Sequence, residues 1–216
     1  MRETVDSIKN QTFRDFEVWI IDGNSSEETQ EYLSKLEAPF FYQSKTDKGI
    51  YDAMNKGVSF SKGEWLYFLG AGDLLENENI LNLVSNKLNL DLDILYGNIR
   101  YDTTKFTSKF SYILWIKNTL HHQSVFYNKK LFSEINYKIS YQVLADYDFN
   151  LNLYCENIKA EKMDAIISNC DKEGVSKDYN WSLYREELKL KSARTNSVFY
   201  PFFFLLVAFK FIFRKL

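Results

Sequence analysis

Lys48-Gly-Ile-Tyr-Asp-Ala-Met-Asn-Lys-Gly57, followed by Glu64-Trp-Leu-Tyr-Phe-Leu69 and then Gly70-Ala-Gly-Asp73, is the stretch on which the fold turns. The first part has helix-forming periodicity and the second is an apolar strand. The third delivers an acidic side chain just past the strand's end. In an open α/β sheet, ligands bind beyond the carboxyl ends of the strands. An aspartate on a small-residue turn at that place can meet a metal ion and a phosphate at once.

Working outward, Glu3 to Gln11 reads as a helix with Val5 and Ile8 on one face. Phe16 to Ile21 reads as a buried strand ending at Asp22. Ser25 or Ser26 then caps a helix over Glu27 to Leu36, whose glutamates favour its N-terminus. Phe40 to Gln43, Trp65 to Leu69 and Asp93 to Asn98 read as strands, with helices over Ile50 to Phe60 and Glu78 to Leu88. This alternation predicts an α/β fold with a doubly wound, mostly parallel sheet. After Asn98 the rhythm changes. Arg100 to Phe110 suggests a β-ribbon, Ser124 to Tyr127 a strand, Ala145 to Cys155 a helix and Ala165 to Asn169 another strand. Gly174-Val-Ser176 is expected to end the compact part. Trp181 to Asn196 reads as an amphipathic helix, and Val198 to Phe213 is almost wholly apolar, broken by Pro201 and Lys210. The expected organisation is a domain over 1–177, in two halves, 1–98 and 99–177, and a tail over 178–216.

The length of 216 residues suits one domain with an appendage. Cys155 and Cys170 have no metal-ligand spacing and read as reduced, structural thiols. The two histidines are adjacent, which disfavours a zinc site built on them. From Arg185 onward the chain carries a net charge of +5, leaving −7 elsewhere, and an acidic body argues against a nucleic-acid binder. A basic end beside an apolar run suits an anionic membrane surface. The 16 residues from Val198 to Phe213 fall short of the roughly 20 that span a bilayer, so an interfacial anchor is expected. A helix packed on the domain or on a second subunit is the other reading. No N-terminal signal peptide is visible.

Five segments in order carry a resemblance. Glu3-Thr-Val-Asp-Ser-Ile-Lys-Asn-Gln-Thr-Phe13, Phe16-Glu-Val-Trp-Ile-Ile-Asp-Gly-Asn-Ser25, the Asp47-to-Asp73 stretch, His121-His-Gln-Ser124 and Ala145-Asp-Tyr-Asp-Phe149 together resemble the family 2 glycosyltransferases. The resemblance implies a GT-A fold. It also implies transfer, with inversion, of a sugar from a nucleotide diphosphate sugar. The acceptor would be lipid-linked or a growing saccharide in bacterial surface polysaccharide synthesis. It places the protein in the cytoplasm, peripheral at the inner face of the cell membrane. The family's first strand has no counterpart here. That departure predicts a start further upstream, a second chain (homo- or hetero-oligomeric) that completes the sheet, or a degraded relative.

The resemblance assigns roles to residues whose chemistry suits them. Asp22, at a strand end, would hold the nucleoside, though as a residue it could equally form the turn or cap the next helix. Lys48 would lie near phosphate, with Gly49 allowing close backbone approach. Asp52 and Asn55, three apart on one helical face, would meet ribose or sugar hydroxyls. Their other reading is a capped surface helix with Ile50, Ala53 and Met54 inward. Asp73, with Gly72 beside it, would hold Mg²⁺ or Mn²⁺ against the diphosphate. Such a hard ion takes oxygen ligands and needs few carboxylates. Gly70 and Gly72 stand where relatives often carry aspartate. Asp146 would be the catalytic base that deprotonates the acceptor hydroxyl. His122, Gln123 and Asp148 would face the acceptor, with Asp148 alternatively capping its helix. The rival function is a non-catalytic subunit that binds nucleotide sugar or partners a complete transferase. The absence of G-x-G-x-x-G after a strand and of a Walker A motif disfavours a dinucleotide oxidoreductase and a P-loop kinase.

Overall fold

A computed structural model describes residues 1–89, 91–171 and 180–215. The helices are α1 (Arg2–Lys9), α2 (Glu27–Ser34), α3 (Ile50–Phe60), α4 (Ile80–Ser85), α5 (Ala145–Cys155), α6 (Trp181–Ser192) and α7 (Tyr200–Lys215). The strands are β1 (Val18–Asp22), β2 (Phe40–Ser44), β3 (Trp65–Tyr67), β4 (Leu74–Leu75), β5 (Ile94–Tyr101), β6 (Thr104–Phe106), β7 (Val125–Asn128) and β8 (Ala160–Cys170). Gly174-Val-Ser176 and the expected domain boundary lie outside the described residues.

The strands form two sheets. β1 and β2 pair in parallel as a sheet of two. The larger sheet has the order β3-β7-β5-β8-β4, with β6 beside β5. Within it β3, β5 and β8 share one direction. β7 runs against them, as do β4 and β6. β1 and β3 each have a strand on one side only, among the described residues. Helix α3 ties the two sheets together. Gly57 lies against Ile21, and Phe60 stacks on Trp19 at 5.0 Å.

Alternation along the strands divides the core into two layers. Ile94, Tyr96, Val125 and Tyr127 face α3 and α5, with Tyr51, Met54, Val58, Phe149 and Leu153. Leu95 and Phe126 face the other way, toward Ile80 and Val84 of α4 and Ile8 of α1. The buried stripe of α3 therefore begins at Tyr51 and not at Ile50, which is exposed. Helix α5 is buried on nearly every side, so its polar residues must find partners inside the protein.

Helices α6 and α7 pack on this body and on each other. Leu190 joins the main core, and Tyr184 and Leu188 meet Phe203 and Val207. The charge at this end is spent largely on internal pairs. Lys191 and Lys210 both bond Glu187 and the Ile116 carbonyl. Burial lowers the Lys191 ammonium to about 8 despite the attraction of Glu187. Arg194 pairs with Asp148. Three of the seven basic residues behind the expected anionic-surface reading are thus turned inward. Lys210 does not interrupt the outer face of α7, where Phe202, Leu205, Phe209 and Ile212 are exposed. Among the described residues no helix is long and apolar enough to cross a membrane.

Candidate active site

Strand direction assembles the site. The carboxyl ends of β3 and β8 lie on one edge of the sheet and lead to Asp73 and Asp171. Because β7 runs the opposite way, the residues before it reach the same edge. They are the 3₁₀ turn His122–Ser124. The start of α5 brings Asp146 there too.

Asp73 is buried and accepts three hydrogen bonds. Gly70 N and Gln123 Nε2 donate to Oδ2, each at 3.1 Å, and Asp171 N donates to Oδ1 at 3.0 Å. A carboxylate offers about four lone-pair sites, so Oδ1 keeps one. Gly72 has φ +106°, a backbone that favours glycine, and its N–H donates to Thr4 Oγ1. A Cβ on Gly72 would lie 3.6 Å from Asp171 Oδ2, so a second carboxylate adjoins the turn. No group of three His, Cys, Asp or Glu side chains gathers around a metal position among the described residues. Asp73 and Asp171 suit an ion that takes most of its oxygens from phosphate and water. Gly70→Ala puts a Cβ 2.7 Å from Asp73 Oδ2. It is expected to displace that carboxylate and to cost about 1–3 kcal/mol in thermal unfolding.

Asp146 sits opposite, through the neighbouring residue. His122 Nδ1 is 3.2 Å from its Oδ2, while the Tyr51 hydroxyl (3.1 Å) and Tyr147 N (2.7 Å) donate to Oδ1. Burial pushes the Asp146 carboxyl up, but the hydrogen bonds from His122 and from Tyr147 N outweigh it. The net value is below the usual carboxylate range. Gln123 and His122 thus bridge the two carboxylates, one side chain to each. The Gln123 carbonyl accepts from Tyr67 and Ser168, which fixes this short segment. His121 instead packs edge-on to Tyr101 and Phe106. Burial lowers it to about 4 against the pull of Asp146, so it is neutral.

The other sequence-expected residues lie apart from this cluster or have other partners. Asp22 ends β1, buried, and accepts from Ser25 N, Ser25 Oγ and Ser44 Oγ. Burial raises its carboxyl, yet these bonds hold it lower than usual. Asp52 accepts from Lys48 N and pairs with Lys56, closing the start of α3. Lys48 is exposed, and Gly49 (φ +112°) has open space where a Cβ would stand. Asn55 bonds the backbone of Tyr137 in both directions, spending one N–H and one lone pair of its amide there. Asp148 is turned from Asp146 by about 200° at 100° per helical residue. It pairs with Arg194 (2.6 Å) and Lys138 (3.1 Å). Asn55 and Asp148 thus both have partners within the protein. Tyr51 and Asp171 were missed: a tyrosine within an apolar stripe reads as core, and an aspartate after a strand has no mark of its own.

The profile described as Glycosyl transferase family 2 matches residues 1–147. A PGL/p-HBAD biosynthesis glycosyltransferase of Mycobacterium bovis (strain BCG / Pasteur 1173P2) is 37% identical over 161 residues. That match covers 69% of this chain and 62% of the relative, so the chain spans less than two thirds of its length. Among solved structures, S. aureus TarS 1–349 in complex with UDP-GlcNAc superposes with a TM-score of 0.70 at 16% identity, covering 92% of this chain and 65% of that one. The mannosyltransferase PcManGT from Pyrobaculum calidifontis, in complex with GDP-Man and Mn2+, gives 0.66 at 14% identity, covering 94% and 63%. These neighbours share the GT-A fold with the chain. With the family profile matching well over half its length, the chain belongs to glycosyl transferase family 2.

Proposed function

We propose that this chain transfers a sugar from a nucleotide diphosphate sugar to a hydroxyl acceptor with inversion. The observation that carries the reading is the pair of buried carboxylates, Asp73 and Asp146, held on either side of His122-Gln123. Inverting displacement needs charge neutralisation at the leaving diphosphate and a base on the opposite side. Asp73, with Asp171 beside it, would hold Mg²⁺ or Mn²⁺, which neutralises diphosphate charge when bound. Asp22 and the Lys48-Gly49 backbone would receive the nucleoside and phosphate, with Gly72 allowing close approach. Asp146 supplies the carboxylate on which proton abstraction rests. The solved neighbours named with UDP-GlcNAc and with GDP-Man and Mn2+ support this donor class. The one-sided strands β1 and β3 favour a second reading, a subunit that binds nucleotide sugar and acts only with a partner chain.

Calorimetry with UDP, GDP, dTDP and ADP, with and without Mn²⁺, tests the donor site. The expected result is metal-dependent binding of one nucleotide, lost in Asp73→Ala. Binding of none, or equal binding in the variant, contradicts it.

The acceptor proposed is a lipid-linked or growing saccharide at a membrane surface. Support comes from the exposed apolar side chains of α7 and of the turn before it, where Leu205 is 67% and Val198 76% exposed. Exposed apolar faces of this extent mark membrane or protein contacts. Leu205→Glu with Phe209→Glu is expected to release the chain from phosphatidylglycerol vesicles in a flotation assay. Wild-type binding should fall little with salt, since Lys191, Arg194 and Lys210 are paired internally. Unchanged flotation of the double variant would remove α7 as the contact.

A further inference from the structure

We propose that Glu186 of α6 is a positioning residue for the base Asp146, because its carboxylate fixes the backbone from which the base-bearing helix starts. The inference rests on the transferase reading and deepens it. Helix α5 carries Asp146 in its first turn, yet its N-cap residue, Leu144, has no side-chain oxygen to hold that turn. The residues leading into it, 142–144, belong to no helix or strand. Their backbone N–H groups converge on one half-buried carboxylate of α6. Gln142 N donates to Glu186 Oε1 at 2.6 Å, and Val143 N and Leu144 N donate to Oε2 at 3.1 and 3.2 Å. Successive N–H groups turned one way form a nest that an anion completes. The tie continues to the base. The Tyr51 hydroxyl bridges the Val143 carbonyl and Asp146 Oδ1.

Glu186 is itself held in place. The next residue, Glu187, pairs with Lys191 and Lys210 and so fastens α6 to α7. Lys189 stands over the Tyr141 ring at 5.3 Å. Past the end of α6, Arg194 Nη2 donates to the Asp148 carbonyl. Glu186 and Arg194 thus grip the start of α5 on both sides of Asp146. A general base works only within hydrogen-bond reach of the proton it takes. A displacement of about 1 Å can cost about 10²-fold in rate. Glu186→Gln keeps the length of the side chain but replaces one acceptor oxygen with an NH₂ that faces N–H donors. The 142–144 backbone must then shift, and Val143 with it. The family profile ends at residue 147, so α6 lies beyond the stretch it matches.

The rate is read from hydrolysis of UDP-GlcNAc and GDP-mannose by the full chain with Mn²⁺, with water in the acceptor's place. Glu186→Gln is expected to lower kcat about 10–10²-fold while donor KM stays within about threefold. A second readout comes from the ring ¹⁵N signals of ¹⁵N-histidine-labelled chain, assigned with His121→Asn. The chain has two histidines, and His122 touches Asp146 while His121 packs on Phe106. In Glu186→Gln the His122 signals should move and those of His121 should stay. Turnover within about threefold of wild type, a rise in KM in place of the fall in kcat, or unmoved His122 signals overturns the proposal. Amide exchange of the unsubstituted chain keeps the question open to test if the variant does not fold. The Val143 and Leu144 amides are expected to exchange at least about 10²-fold slower than unprotected ones, and unprotected exchange there overturns the assignment. Failure of the wild type to cleave either donor would instead count against the transferase reading, while the ring signals and amide exchange still decide whether Glu186 holds the base.

Discussion

Asp146→Asn lowers sugar transfer by about 10²–10⁴-fold and leaves nucleotide affinity unchanged. The change keeps the shape of the side chain and removes its charge. Two donors, the Tyr51 hydroxyl and Tyr147 N, hold the oxygen at Oδ1. The new amide nitrogen must therefore face His122 Nδ1 and force that atom to accept. No carboxylate then remains at this position to take the acceptor's proton. The donor side stays intact because Asp73 is held by Gly70, Gln123 and Asp171, none of which touches Asp146 in the hydrogen-bond network. Steady-state kinetics beside calorimetric nucleotide binding checks the split. Turnover within about threefold of wild type would exclude Asp146 from the base, given the size general-base effects normally have.

The second large effect concerns stability. Arg194→Ala is expected to cost roughly 3–5 kcal/mol, because it strands a buried carboxylate. Arg194 Nη1 meets Asp148 Oδ1 at 2.6 Å and Nη2 donates to the Asp148 carbonyl at 3.0 Å. The Asp148 side chain is 4% exposed. Lys138 remains as a partner at 3.1 Å but is half exposed, and it offsets only part of the loss. At about 2–4 °C per kcal/mol for a chain of this size, the thermal midpoint should fall by roughly 10 °C. Replacing both residues, Arg194→Met with Asp148→Leu, should recover most of it, since removing a buried pair together leaves no unmatched charge. A shift below about 2 °C in the single variant would mean Asp148 is not sealed by Arg194.

Much of this fold was legible because local chemistry and tertiary packing agree in it. α3 and α5 have the boundaries expected from their periodicity and flanking residues. β8 runs from Ala160, five residues earlier than expected, since its first half alternates exposed polar residues and resembles a loop. The two-residue β4 carries no pattern at all. Helix α4 is shorter than Glu78 to Leu88 because Asn77 and Glu78 spend their carbonyls on Gln11 and Thr12 of the α1 end.

The site divides in the same way. Asp73, His122, Gln123 and Asp146 each stand at an element end, where a side chain is placed by the element itself. Asn55 and Asp148 lie within helices, and helical spacing tells which residues share a face without telling what that face touches. Asn55 meets Tyr137, 82 positions away, and Asp148 meets Arg194, 46 away. Tyr51 was hidden for the same reason, its partner Asp146 lying 95 residues on. Lys210 read as a break in an apolar run. Its bonds to Glu187 across the helix pair and to the Ile116 carbonyl show that the lysine faces inward.

The central claim is that one site on this chain breaks a sugar–diphosphate bond with inversion. The most direct test incubates the full chain with Mn²⁺ and α-linked UDP-GlcNAc, GDP-mannose and their β-linked counterparts, following the anomeric protons by NMR. The account predicts release of nucleoside diphosphate from one donor class, with the first-formed sugar product of opposite anomeric configuration. It also predicts that Asp73→Ala and Asp146→Asn each suppress that release. Release with retained configuration, or equal release from the variants, would contradict it.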